Sequence, residues 1–294
     1  MTTTSARVLV IGLGQLGSDV LRVARARGLD ARGLDHQALD VTDRDATARA
    51  VREAAPEVVV NCASFTNVEA AEDEPASAFA VNATGALHVA RAARAAGARV
   101  AHVSTDYVFD GSKGAPYVEA DTPAPPNVYG ASKLAGEHAT LVAAPDALVA
   151  RTSSLFGVAG ARGKGGNFVE TILRNARGKG ELRVVADQLM TPTYVLDAAD
   201  ALLRLAVDHR ASGIVHVTNG GAPASWHALA SEAVRLSGLD VAVHAVPASA
   251  WPTKARRPAN SALATGKLAS LLGAPLRPWP AALEAYLKEK GHLK

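Results

Sequence analysis

Short apolar runs alternate with longer segments of helical hydrophobic spacing through the first half of the chain. Five of the runs are predicted as buried strands, namely Val8–Ile11, Ala31–Leu34, Val58–Asn61, Arg99–Ser104 and Ala147–Thr152. Four helices are predicted between them, over Leu16–Arg27, Asp43–Ala55, Pro75–Ala96 and Asn127–Ala144. Strict alternation of strand and helix predicts an α/β protein with a parallel sheet covered on both faces. Right-handed crossovers favour the doubly wound, Rossmann-type arrangement.

The alternation breaks after about residue 153. Further predicted elements are a Gly-, Arg- and Lys-rich loop over Gly157–Gly166, helices over Asn167–Ala176 and Asp197–Asp208, and strands over Leu182–Val185 and Gly213–Val217. Prolines are spread through the remainder, which we predict as irregular chain with short helices. We therefore expect a dinucleotide-binding domain over residues 1–153 with returning segments near 186–217. Residues 154–185 and 218–294 would form a smaller C-terminal substrate-binding lobe.

Charge and composition exclude several classes of protein. The net charge of +3 is too small for a nucleic-acid partner, which requires a concentrated basic face. Residues 251–294 carry eight Lys and Arg side chains against two carboxylates, which suits either a solvated tail or an anionic small-molecule site. No run of 18 predominantly apolar residues predicts a membrane helix.

Cysteine usage and the N-terminal residues bear on the cellular compartment. Cys62 is the only cysteine, so no intramolecular disulfide can form. The short polar start, Met1 to Ser5, has neither a signal-peptide nor a transit-peptide pattern. These observations lead us to expect a cytoplasmic protein. A homodimer is compatible with the sequence, which identifies no interface.

A glycine-rich segment joins the first predicted strand to the first predicted helix. Its residues are Gly12-Leu13-Gly14-Gln15-Leu16-Gly17. The glycines allow a tight turn and close approach of a pyrophosphate, while the helix N-terminus supplies free N–H groups. The strand before it and the helix after it favour a dinucleotide site over an unrelated glycine-rich turn.

An acidic residue lies where such a site needs one. Asp35 follows the second predicted strand, 18 residues past Gly17, where its carboxylate would accept the adenosine ribose hydroxyls. His36, Asp40 and Val41 follow, in a loop that would flank the adenine. The choice between NADPH and NADH stays open, because Asp35 repels a 2′-phosphate while Arg32 and His36 are close enough in sequence to offset it.

Tyr129 and Lys133 are four residues apart in a predicted helix, so their side chains share one face. A free tyrosine has a pKa near ~10 and is a weak acid–base catalyst at neutral pH. A neighbouring ammonium would lower that pKa, and it could also hold the nicotinamide ribose. The segment Ser104–Gly111 ends the fourth strand beside the expected crevice, where a hydroxyl could bind a substrate carbonyl.

Several segments together carry a resemblance to a known family. They are Ser104–Gly111, Tyr129–Glu137, Arg151–Ser153, Gly166–Val169, Asp187-Gln188, Thr191–Thr193 and Arg257–Ser261. In these segments, over nearly its whole length, the chain resembles the dTDP-4-dehydrorhamnose reductase family of extended short-chain dehydrogenases. The resemblance implies a catalytic triad of Thr105, Tyr129 and Lys133.

The resemblance also implies the binding residues. Cys62, Ala63 and Ser64 fall in a segment that runs along the cofactor, NADPH or NADH. For a nucleotide-sugar substrate we expect contacts from Thr105, Asp106, Asn167, Arg257 and Asn260. Arginine suits a diphosphate because its planar fork donates two hydrogen bonds at once.

Two departures from the family pattern matter. Many members have Trp after Arg-Thr-Ser, where this chain has Ser154, so the identity of the sugar stays open. Some members hold a metal through acidic side chains at a dimer contact, but here only Asp19 is at a suitable position and Leu196 stands where another acid would be. The scattered histidines lack metal-ligand spacing, and no metal is predicted.

The expected activity is hydride transfer from a nicotinamide to the 4-keto group of a dTDP-4-keto-6-deoxy sugar, with dTDP-4-dehydrorhamnose as the first choice. Three alternatives remain at this point. They are a 4-ketoreductase for another deoxysugar, a nucleotide-sugar epimerase, and a non-catalytic binding or regulatory subunit of the same fold. The Thr, Tyr and Lys side chains argue against the last, since a binding module needs no tuned phenol.

Overall fold

The computed structural model describes residues 5–160, 166–178 and 180–293. Its strands are β1 (Arg7–Ile11), β2 (Asp30–Leu34), β3 (Val58–Asn61), β4 (Arg99–Thr105), β5 (Leu148–Thr152), β6 (Leu155–Phe156), β7 (Glu181–Val185), β8 (Leu189–Met190), β9 (Thr193–Tyr194), β10 (Gly213–His216), β11 (Ala224–Ser225) and β12 (Ala242–Val246). Its α-helices are α1 (Gln15–Ala26), α2 (Arg44–Ala54), α3 (Val68–Asp73), α4 (Pro75–Phe79), α5 (Ala86–Ala95), α6 (Val128–Ala143), α7 (Phe168–Gly178), α8 (Val195–Leu203), α9 (Trp226–Leu236), α10 (Gly266–Leu272) and α11 (Trp279–Glu289).

A six-stranded sheet forms the centre of the molecule, in the order β10-β5-β4-β3-β1-β2. Every neighbouring pair in it is parallel. The chain starts at β1, adds β2 on one side and then crosses to β3 on the other. This confirms the predicted doubly wound Rossmann-type fold, and it places a switch point at the carboxyl ends of β1 and β3.

Alternating side chains of β1 show how the sheet is covered. Val8 and Val10 join a buried cluster with α1 and α8, whereas Leu9 and Ile11 join a cluster with α2 and α5 on the other face. Because successive strand residues point to opposite faces, a continuous apolar run is what a sheet buried on both sides requires.

The helix predicted over Pro75–Ala96 is interrupted. Residues Ala80–Gly85 form a π-helical turn between α4 and α5. Asn82 lies in that turn, fully buried, and its side chain bonds to a neighbouring loop and to α6. π-Helical turns inside an α-helix are frequently found at functional sites.

The C-terminal part is more regular than predicted. Helices α9 and α11 span 11 residues each, where we expected irregular chain with short helices. In α11 the prolines stand at the start, with Pro278 at the N-cap and Pro280 in the first turn. A proline costs nothing there, because the N–H it lacks would have no helical partner.

Smaller strand pairs accompany these helices, namely β12 with β7, β11 with β8, and β6 with β9. Strands β6, β7, β11 and β12 fall within the predicted boundaries of the substrate-binding lobe, to which we propose they belong, whereas β8 and β9 fall in the predicted returning segment near 186–217. Within the predicted loop at 157–166, residues 161–165 lie outside the described residues. Among the helices of the described residues, none is both long and apolar enough to cross a membrane.

Candidate active site

A cavity of about 980 Å³ opens at the carboxyl ends of β1, β3 and β4. Its wall contains most of the site residues predicted from the sequence: Gly12, Gly14, Gln15, Leu16, Gly17, Asp35, His36, Asp40, Val41, Cys62, Ala63, Ser64, Thr105, Asp106, Tyr129, Lys133 and Asn167. Arg257 and Asn260 lie outside this wall. The wall also includes Phe168, Trp226 and Leu229, which we did not predict as site residues. Trp226 and Leu229 lie on a helix for which the sequence analysis made no assignment.

The glycine-rich turn packs directly on the loop that follows β3. Gly12 has a φ of +89°, and a Cβ there would lie 2.4 Å from the Ala63 nitrogen. Helix α1 begins at Gln15, and its N-cap Gly14 makes no side-chain capping bond. The first N–H groups of α1 are therefore available to an anion, which is the arrangement that a dinucleotide pyrophosphate needs.

Two alanine substitutions should separate folding from cofactor binding. We expect Gly12→Ala to destabilise the protein by about 1–3 kcal/mol, because the added methyl overlaps the Ala63 backbone. We expect Gly14→Ala to fold normally, since nothing lies within 4 Å of its Cβ, but to weaken dinucleotide binding by crowding the pyrophosphate. Urea unfolding and fluorescence titration with NADPH would measure the two effects. Equal stability of both variants would contradict this account of the turn.

Carboxylates mark the end of the cavity next to β2. The Asp35 Oδ1 accepts the N–H groups of Gln37 and Ala38, both at 3.1 Å, which fixes the carboxylate beside the strand end. Hydrogen bonds from the backbone and the hydroxyl of Thr42 lower the pKa of Asp40. His36 lines the cavity and Arg32 does not.

Helix α6 carries the predicted tyrosine and lysine. Its N-terminus is fixed by Asn127, whose side chain accepts the Gly130 N–H at 2.8 Å. The hydroxyls of Thr105 and Ser64 face the Tyr129 hydroxyl and oppose the rise of its pKa, because they favour the phenolate. The predicted meeting of Thr105, Tyr129 and Lys133 in one cavity is therefore present.

Burial, and not the lysine, dominates the ionisation of the phenol. It raises the pKa of Tyr129 to about 12 and lowers the pKa of Lys133 to about 8. The Lys133 Nζ donates to the Val103 carbonyl at 2.6 Å. The expectation that Lys133 lowers the pKa of Tyr129 is wrong for this arrangement. Desolvation of the phenolate outweighs any nearby positive charge.

The cofactor-side loop after β3 is held by two buried asparagines. Asn61 accepts the Ala63 N–H at 3.1 Å, and Asn82 accepts the Phe65 N–H at 2.8 Å. Asn82 also donates to the Ser132 hydroxyl at 2.9 Å, which links this loop to α6. Sequence reasoning gave Asn82 no role. An amide inside an alanine-rich helix was the available signal.

Cys62 lies in the same loop. Burial raises the pKa of its thiol to about 12, so the thiolate that nucleophilic chemistry requires does not form near neutral pH. Cys62 therefore contributes to the cavity wall as a small apolar side chain.

Asp106 is 3% exposed and follows Thr105 at the end of β4. Its Oδ2 accepts the Ser153 hydroxyl at 2.9 Å, and its Oδ1 accepts the Thr105 hydroxyl at 3.2 Å. Burial raises the pKa of this carboxyl to about 6, although hydrogen bonds from Ser261, Ser153 and Thr105 oppose the shift.

The two asparagines predicted to bind substrate are already hydrogen-bonded within the protein. Asn167 donates to the Gly157 carbonyl at 2.9 Å and to the Tyr286 hydroxyl at 3.0 Å, although it lines the cavity. Asn260 donates to the carbonyls of Lys113 and Ala115, at 2.7 and 3.1 Å. Asn260 therefore anchors a loop outside the cavity wall, and its role as a substrate ligand stays a prediction.

Arg257 lies beside the cavity and pairs with an acidic helix. Its Nη2 is 3.0 Å from the Glu69 Oε1 on α3, and the Arg257 side chain is 33% exposed. Burial raises the pKa of Tyr107, a residue of the cavity wall, and the positive charge of Arg257 partly opposes that rise. A role for Arg257 at a substrate diphosphate stays a prediction.

Comparisons with known proteins agree with this geometry. A family model described as the RmlD substrate binding domain matches residues 6–291. The chain is 40% identical over 292 residues to dTDP-4-dehydrorhamnose reductase of Mycobacterium tuberculosis (98% of this chain, 94% of the relative). It is 42% identical over 284 residues to the protein of that name from Streptomyces griseus (94% and 91%). A solved dTDP-4-dehydrorhamnose reductase from Bacillus anthracis, in complex with NADP, has a TM-score of 0.91 and 34% identity, covering 97% of this chain and 99% of its own. This chain therefore belongs to the dTDP-4-dehydrorhamnose reductase family.

Proposed function

We propose that this protein reduces the 4-keto group of dTDP-4-dehydrorhamnose to give dTDP-rhamnose, with NADPH or NADH as the reductant. The observation that carries the proposal is the meeting of Thr105, Tyr129 and Lys133 in one cavity with the Gly12–Gly17 turn. The cavity thus combines a binding site for a dinucleotide with a side chain that can donate a proton to the oxygen of the product. Membership of the family supplies the substrate class.

The residues present fit a bound nicotinamide dinucleotide. The free N–H groups at the start of α1 and the close backbone approach at Gly12 suit its pyrophosphate, and Asp35 suits its adenosine ribose. When bound, the dinucleotide supplies the hydride that adds to C4 of the sugar. We assign Lys133 to the nicotinamide ribose hydroxyls, for which its ammonium would leave the Val103 carbonyl or share it.

Tyr129 is proposed as the proton donor. With a pKa of about 12 it holds its proton at neutral pH, and it gives that proton to O4 as the alkoxide forms. Thr105 would donate a hydrogen bond to the same oxygen and spread the developing charge. Hydride and proton together convert the ketone into a secondary alcohol.

Supply of dTDP-4-dehydrorhamnose with NADPH or NADH tests the function directly. We expect one equivalent of nicotinamide to be oxidised per sugar reduced, followed at 340 nm and by product chromatography. Isomerised sugar without net oxidation would instead identify an epimerase. No reaction and no loss of substrate would favour a binding subunit and overturn the proposal.

Alkaline pH should weaken catalysis through Lys133. Burial leaves this lysine with a pKa of about 8, so the charged form is present below that pH and is lost as the pH rises through it. We expect kcat/KM for the sugar to fall about tenfold between pH 7 and pH 9, as one proton is lost. The variant Lys133→Arg, which keeps its charge, should turn over more slowly but without this alkaline fall. A Lys133→Arg variant with the wild-type alkaline fall would contradict the assignment.

A further inference from the structure

Asp106 is a buried carboxyl that the proposed mechanism does not use. Its two oxygens face the hydroxyls of Thr105 and Ser153, and Ser261 also hydrogen-bonds to it. None of these partners carries a positive charge. A carboxylate in such a place is stabilised by hydroxyl dipoles and its own backbone N–H but by no bonded cation, so the neutral acid competes well with it.

The groups around Asp106 can be named element by element. Helix α6 presents the phenol of Tyr129, and the turn after β4 presents that of Tyr107, and both phenols have a raised pKa because of burial and the Asp106 charge. The end of β5 and the segment after Asn260 present only the hydroxyls of Ser153 and Ser261. The nearest cation that these contacts identify is Arg257, which acts on Tyr107 and is paired with Glu69, whereas burial is the largest cause of the shift in the pKa of Asp106.

The protons available at Thr105 can be counted. A threonine hydroxyl has one proton to donate and two lone pairs to accept with. One of the lone pairs accepts the Tyr107 N–H at 3.2 Å. An ionised Asp106 can only accept, so it takes the single Thr105 proton. Thr105 then has no proton left to donate to a substrate carbonyl, although its oxygen can still accept one more hydrogen bond.

We propose that Asp106 is a positioning residue whose neutral form releases the Thr105 proton for the substrate carbonyl, and whose ionised form withholds it. A neutral Asp106 can itself donate to the Thr105 oxygen, which turns the Thr105 hydroxyl toward the cavity. The neutral form also avoids a second negative charge beside the alkoxide that forms on the sugar. This inference rests on the proposed reductase function and adds a control on its oxyanion contact.

The wild-type pH profile should carry the signature of this control. Asp106 has a pKa of about 6, so its neutral form predominates below that pH and is lost as the pH rises. We expect kcat/KM for dTDP-4-dehydrorhamnose to fall about tenfold between pH 5 and pH 7, as one proton is lost. The decrease in kcat/KM caused by deprotonation of Lys133 near pH 8 should appear as a separate step.

Replacement of Asp106 by Asn tests the proposal. The amide cannot ionise but can donate to Thr105, so Asp106→Asn should lack the fall between pH 5 and pH 7 while it keeps the step near pH 8. A purely structural role would lower kcat/KM at all pH values without removing a step. Retention of the lower step in Asp106→Asn would overturn the proposal. The proposal would also be overturned if kcat/KM of Asp106→Asn at pH 5 were 100-fold or more below that of the wild-type protein, whose Asp106 is already mostly neutral at that pH.

A second variant keeps the test decisive if Asp106→Asn does not fold. Ser153→Ala removes a hydroxyl that stabilises the ionised carboxyl without touching Thr105. The lower step should therefore move to higher pH, and an unmoved step would overturn the proposal. An inert wild-type protein would mean that the reductase function itself fails. An active wild-type protein whose lower step does not respond to either variant would mean that only this inference fails.

Discussion

Replacing Tyr129 with Phe is expected to lower kcat for sugar reduction about 10²–10⁴-fold, the range typical of a lost general acid. The phenol is the proposed proton source for O4, and a phenylalanine ring keeps the packing but holds no proton to give. The dissociation constant of NADPH should change little, because the Gly12–Gly17 turn and Lys133 remain. Stopped-flow turnover and fluorescence titration measure the two quantities.

Tyr117→Phe is a matched control for this substitution. Tyr117 is buried, stacks on Phe109 at 4.1 Å and lies outside the cavity wall. Loss of its hydroxyl removes hydrogen bonds to the loop at Asp110–Lys113 and should affect stability more than turnover. If Tyr129→Phe keeps kcat within tenfold of wild type, Tyr129 is not the proton donor.

Removal of the Arg151 guanidinium should destabilise the fold more than any surface change. Arg151 is 1% exposed and makes two hydrogen bonds to Glu137, at 2.8 and 2.7 Å. Glu137 is fully buried one turn after Lys133, and it also accepts the Ser104 hydroxyl at 2.5 Å. Arg151→Ala leaves that carboxylate buried and unpaired, which costs about 3–5 kcal/mol. Urea unfolding would measure the loss.

The exposed pair Arg235–Glu232 provides the comparison. Its arginine side chain is 67% exposed and pairs within one helical turn. Arg235→Ala should change the unfolding free energy by less than about 1 kcal/mol, since exposed ion pairs contribute little. If Arg151→Ala and Arg235→Ala lowered the free energy of unfolding by similar amounts, burial would not determine how much the Arg151–Glu137 pair contributes to stability.

Local motifs were predictable from the sequence, because spacing alone determines their geometry. The Gly12–Gly17 turn and the Tyr129–Lys133 pair both depend on residues within one turn or one helix. Contacts between distant residues were not predictable in the same way. Asn260 is bonded to a carbonyl 147 positions away, and Asn82 to a hydroxyl 50 positions away.

The pKa values of the site residues were also not predictable from the sequence. The charge of Lys133 was predicted to lower the pKa of Tyr129, whereas the folded chain removes water from both groups and raises the phenol's pKa instead. How deeply a side chain is buried, and therefore how far its pKa shifts, depends on the whole fold. The same holds for Asp106, whose raised pKa follows from its 3% exposure.

The position of β10 bears on how the chain can be divided. This strand comes 60 residues after β5 ends, yet it pairs with β5 along Leu148–Arg151 and completes the sheet. A fragment that stops at residue 153 would leave that flank of β5 as a bare apolar edge, the kind of surface that seeds aggregation. We therefore expect a fragment of residues 1–153 to aggregate instead of folding as an autonomous domain. Thermal melting of the intact chain should accordingly proceed as one cooperative transition.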